Sequence, residues 1–186
     1  MCIEEILNRI FKKNPYWKCK KEIAMDYCYH EIGHILATLH YSKIYGTCIK
    51  KVSLENGCPC TESGILNNCP PFVYEHIFLG GDVFFQIKKN GSFSKIDFTN
   101  NEIVGDLRNY YRYTVGASNI NEQQMYLFYQ LHSDNINYSL KQFSNNIVKY
   151  KDDKSVKNLA NLLYRRLFVG TPKEVTGKEI DDILHL

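Results

Sequence analysis

His30-Glu31-Ile32-Gly33-His34 is the stretch of this 186-residue chain whose residue types and spacing point to chemistry. On a helix, histidines four apart lie one turn from each other on the same face, so both imidazoles can reach one ion. Glu31, next to the first histidine, projects towards the open side of that ion, where it can hold a water. Zinc lowers the pKa of such a water to about 7, and a neighbouring carboxylate can take its proton. One ion then polarises a carbonyl and supplies the nucleophile, as peptide-bond hydrolysis requires. Two histidines and a glutamate on an otherwise apolar helix are costly to bury unless satisfied, and a metal satisfies them directly.

A catalytic zinc takes three protein ligands and leaves one position open. Two kinds of third ligand compete. His40 completes an H-E-x-x-H-x-x-A-x-x-H pattern, which departs from the metzincin one where Ala37 replaces glycine. In an unbroken helix His40 lies about 240° round from His34 and faces the wrong way. It could ligate only if the chain left the helix near Ala37, which alanine resists. The other kind is a carboxylate far along the chain.

The element that must carry the pair is a long apolar segment, about residues 20–41, in which Ile32, Ile35, Leu36 and Leu39 recur at helical spacing. A short amphipathic helix is expected before it, at about 3–11. After it, Cys48 to Leu54 is β-branched and bounded by Gly46 and Asn56-Gly57, which predicts a strand. Residues 55–71 read as a loop. Pro70-Pro71 opens a further helix to about Ile87, within which Gly80-Gly81 mark a break or a tight packing point. Helices are expected at about 100–113, and two or three more across 121–150 and 155–168. Thr176-Gly177-Lys178-Glu179 is a capping box opening the last helix.

Composition sets the frame. Hydrophobic residues make up 44% and charged residues 23%, ordinary globular values that exclude wholesale disorder. A net charge of +3 gives no sign of a nucleic-acid-binding surface. No apolar run approaches membrane-spanning length, no secretion signal is read at the start, and a cytoplasmic location is expected. Seven cysteines, an odd number, fit reduced thiols. Cys48, Cys58, Cys60 and Cys69 hold enough thiols for a zinc site but lack paired C-x-x-C knuckles, so a cysteine-containing loop is expected there. No P-loop motif is present.

Tyr29-His30-Glu31-Ile32-Gly33-His34, followed by Lys51-Val52-Ser53-Leu54, resembles the peptidase domain of the FtsH family of ATP-dependent zinc proteases, where Y-H-E-A-G-H precedes a strand reading K-V-S-I. The match extends to Leu159-Ala160-Asn161-Leu162-Leu163 and to Glu174-Val175-Thr176-Gly177-Lys178-Glu179-Ile180, similar to the family's closing helix and turn. The resemblance therefore spans about residues 22–186. It implies a third zinc ligand from a carboxylate that opens a helix, whose counterpart here is Asp106 in Gly105-Asp106-Leu107. Glu102, one turn earlier, is the substitute. This chain departs from the family in 55–98, where Gly80-Gly81-Asp82-Val83-Phe84-Phe85 stands for the family's R-A-A-E stretch, and a peptidase domain without the ATPase module is expected.

The expectation is a mainly α zinc-peptidase domain over 20–186, with an N-terminal helical extension at 1–19 and a short β element at about 47–54 beside the histidine helix. His30, His34 and Asp106 hold one zinc, and Glu31 is the general base. Substrates are peptides or unfolded protein. The resemblance to a hexameric, ATP-dependent family implies a homo-oligomer or a separate ATPase partner. The rival expectation is a catalytically idle relative that uses the fold as a binding or regulatory module. Finally, the 50–54 strand is expected to offer a free edge to an extended peptide.

Overall fold

The computed structural model describes residues 21–55, 57–65, 69–98, 104–116 and 119–184. The expected helix at 3–11, the 1–19 extension and Glu102 lie outside the described residues. Within them the chain is mainly helical with one three-stranded antiparallel sheet. No described helix is long and apolar enough to cross a membrane.

Helix α1, Lys21–His40, carries the histidine motif. Every residue from Glu31 to Thr38 is buried, so this part of α1 is covered on all sides. That fits a run whose apolar residues go round the helix rather than along one stripe. A single turn, α2 (Ser42–Tyr45), ends at Gly46, whose φ of +65° turns the chain into the sheet. Helix α3, Pro71–Asn90, lies against α1; it starts with Pro71 in its first turn and ends on Gly91 at φ +86°. Helix α4 (Val104–Val115) and the 26-residue α5 (Glu122–Ile147) pack on α3. Helix α6 (Lys154–Leu163) closes another side of α1 and continues into a π-helical turn at Tyr164–Val169.

The sheet departs from expectation in two ways. Residues 55–71 are not all loop: β1 (Cys48–Glu55) pairs with β2 (Cys58–Gly64), Val52 opposite Thr61. The Cys-Pro-Cys-Thr-Glu-Ser-Gly sequence of β2 has almost none of the β-branched or aromatic residues that mark strands. It is held by backbone pairing to β1, and Pro59 is tolerated because β2 is an edge strand. On its other side β1 pairs with β3 (Glu174–Thr176), Val52 opposite Val175. The strand order is β2-β1-β3, so β1 is central and has no free edge; that expectation is corrected. Among the described residues, the unpaired edge beside α1 belongs to β2.

The chain ends in α7, Gly177–Leu184. Its capping box forms as expected: Glu179 Oε2 accepts from the Thr176 backbone N–H at 2.9 Å, and Thr176 Oγ1 accepts from the Glu179 N–H at 3.3 Å. The two or three helices expected across 121–150 and 155–168 are α5, a short 3-10 turn at Val148–Tyr150, and α6. Asn121 caps α5 by accepting from the N–H groups of Gln123 and Gln124.

Candidate metal centre

The spacing of α1 and α3 decides where the histidines can point. Gly33 of α1 meets Gly80-Gly81 of α3, and a Cβ added at Gly33 would sit 2.7 Å from the Gly81 Cα. The glycine pair does not break α3; it lets two helix backbones approach at a distance no side chain allows. Gly81 then lies directly under the imidazoles: its own Cβ would be 2.5 Å from His34 Nε2 and 2.6 Å from His30 Nε2.

Both Nε2 atoms converge, 3.0 Å apart. Asp106, in the first turn of α4, brings Oδ2 to 3.1 Å from His30 Nε2 and 3.5 Å from His34 Nε2. Three donors bound tetrahedrally at about 2.0–2.1 Å from one ion would be about 3.3–3.4 Å apart. The observed triangle brackets that value. The residues therefore fit a small divalent cation, and this is the sole such group of histidine, cysteine and carboxylate side chains among the described residues.

The surroundings fix which nitrogen faces inward. His34 Nδ1 donates to the Ile77 carbonyl at 2.7 Å, leaving its Nε2 for the cluster. His30 Nδ1 faces the Asp82 carboxylate at 3.8 Å. Both supporting groups come from α3, and neither was legible in the sequence. A backbone carbonyl carries no sequence signal, and Asp82 stands among residues that diverge from the FtsH pattern.

The electrostatics show how tightly the three groups are coupled. Burial disfavours imidazolium at His34, yet the Asp106 carboxylate, Glu31 and the Ile77 carbonyl outweigh it and push the group up to about 10. His30 also rises: burial opposes the shift, but Asp106 and Asp82 prevail. Burial would raise Asp106, but the two imidazoles hold it well below the usual carboxylate range. Its place at a helix N-terminus adds to that preference for the anion.

Glu31 is 5% exposed and does not join the triangle. Its Oε2 accepts from Thr61 Oγ1 of β2 at 2.6 Å. His40 is exposed at the end of α1, its ring edge-on to Tyr41 and Phe143, and is not brought to His30 and His34. Nor do the cysteines converge: Cys48, Cys58 and Cys60 are exposed on the sheet and Cys69 is buried elsewhere. His76 is a buried structural residue between Tyr41 and Ser139.

No family model, no characterised protein and no solved structure matches this chain.

Proposed function

We propose that this chain is a zinc-dependent metalloendopeptidase of the FtsH-like type, acting on peptides or unstructured protein segments. The observation that carries the reading is the convergence of His30 Nε2, His34 Nε2 and Asp106 Oδ2 within 3.5 Å of one another, next to a buried glutamate in the same helix. Zinc is favoured by the donor set, two imidazoles and one carboxylate, which leaves a position open for water or a carbonyl. When bound, such an ion makes a water more acidic and withdraws electrons from the scissile carbonyl.

The chain's own residues would do the rest. Glu31 accepts a proton from the attacking water as its oxygen bonds to the carbonyl carbon. It then returns that proton to the amide nitrogen as the C–N bond breaks. Asp82 and Ile77 keep the two imidazoles turned inward. The edge of β2 beside α1, unpaired among the described residues, is the place for an extended substrate backbone, which would extend the sheet by one strand.

The test is peptide cleavage by the zinc-loaded wild type and by Glu31→Gln, with metal content measured on both. The reading expects cleavage that falls at least about 100-fold in the variant while zinc is retained. Zinc-loaded protein that cleaves no unstructured substrate would favour the idle binding module instead.

A further inference from the structure

We propose that Thr61 is the positioning residue of Glu31, an inference that rests on the peptidase reading above. The two side chains come from elements distant in sequence and are joined by the 2.6 Å bond from Thr61 Oγ1 to Glu31 Oε2. A buried carboxylate needs donors, and this one receives a hydroxyl across the helix–sheet interface. One oxygen is thereby occupied. The other, Oε1, keeps its lone pairs for the water that must be deprotonated.

The donor is itself fixed. Threonine on a strand is restricted at χ1 by its branched Cβ, so Oγ1 does not wander. The strand is pinned two residues further on, where Ser63 Oγ lies 2.8 Å from Thr38 Oγ1. Thr38 spends its own proton on the His34 carbonyl at 2.9 Å, so Ser63 is the donor in that pair. Thr61 and Ser63 alternate with exposed Cys60 and Glu62, which puts both hydroxyls on the α1 side of β2. Opposite Thr61 in the register is Val52, which is fully buried and also paired to β3. β2 thus bears the open edge proposed for substrate and, on its inner side, the clamp on the base. A strand slip of one residue would turn Thr61 outward and release Glu31.

Thr61→Val keeps the branched shape and removes the donor; Thr61→Ser keeps the donor. Expected for Thr61→Val are unchanged zinc per chain, a KM within twofold of wild type and a kcat about 100-fold lower, the scale of a misplaced reacting group. Thr61→Ser should recover kcat to within a few-fold. In metal-free protein, three-bond NMR couplings of Glu31 should report one rotamer in wild type and averaged rotamers in Thr61→Val. Wild-type couplings that are already averaged would overturn the inference without any variant. So would Thr61→Val with unchanged kcat and full zinc, or Thr61→Ser as impaired as Thr61→Val. Wild type that binds zinc and cleaves nothing would instead overturn the peptidase reading, while the couplings still decide what Thr61 does.

Discussion

Gly33 and Gly80 touch backbone to backbone where α1 crosses α3, and Ala37 packs beside them within 3.0 Å of where a Gly80 Cβ would stand. The contact sets the depth at which the histidines sit over Gly81. Gly33→Ala should therefore do more than fill space: with no flexible side chain to give way, the helices must separate. The expected loss is at least about 2 kcal/mol of stability, with weakened zinc binding in whatever remains folded. Chemical denaturation and a zinc titration on the same variant check both.

Gly81→Ala tests the floor of the site by itself. Its Cβ would contact both Nε2 atoms, at 2.5 and 2.6 Å, so the imidazoles must rotate away from Asp106. Zinc affinity should fall by more than about 100-fold, beyond the 10–100-fold typical of lost supporting contacts. Isothermal titration gives the answer, and an affinity within threefold of wild type would contradict the geometry.

Under the proposed reading, zinc would displace a proton from His34, whose imidazole is pushed up to about 10 by Asp106, Glu31 and the Ile77 carbonyl against the effect of burial. Affinity should therefore climb about tenfold per pH unit from pH 6 to 8, and more steeply where His30 also gives up a proton. Sign and origin agree: a raised imidazole favours the protonated, metal-free triad at low pH. Competition against a chromophoric chelator across that range measures the slope; a flat profile would contradict the coupling.

A second buried carboxyl makes a different pH signature. Burial pushes Glu75 up from 4.5 to about 7, with Ser139 and Tyr110 opposing as donors; Tyr110 Oη donates to its Oε2 at 3.1 Å, and Oε1 has no hydrogen-bond partner. The folded chain holds this proton more tightly than the unfolded one. Its contribution is full below pH 4.5, declines as pH rises through the unfolded value, and is gone above about 7. Glu75→Gln keeps an acceptor for Tyr110 and removes the titration. The variant's Tm relative to wild type should thus rise between pH 4.5 and 7 by the equivalent of up to about 3 kcal/mol. A constant difference across that range would show that Glu75 does not titrate there.

Val52→Pro should unfold the domain. Val52 is fully buried and paired on both sides, to Thr61 and to Val175. Proline in a central strand removes a ladder hydrogen bond and is tolerated essentially only at edges or bulges. Circular dichroism decides between lost fold and a folded, zinc-loaded chain.

What the sequence made legible follows from how each signal is encoded. His30, Glu31 and His34 sit within five residues on one helix, so spacing alone aligns the histidines. Asp106 came only through likeness to a known family, since a lone acidic residue at a helix start has no local signature. β2 was hidden because its strand character lies in backbone pairing with β1, not in Cys, Pro, Ser or Gly. Thr61 was hidden with it. The Gly80-Gly81 pair was visible, but whether it breaks or packs a helix depends on Gly33, which contacts it from forty-odd residues away.

The most direct test of the metal centre is zinc per chain, by elemental mass spectrometry, on untagged wild type and Asp106→Ala purified without added metal. The account predicts about one zinc per wild-type chain and little or none in the variant. No zinc in wild type even after dialysis against it, or equal zinc in both, would contradict the three-ligand site.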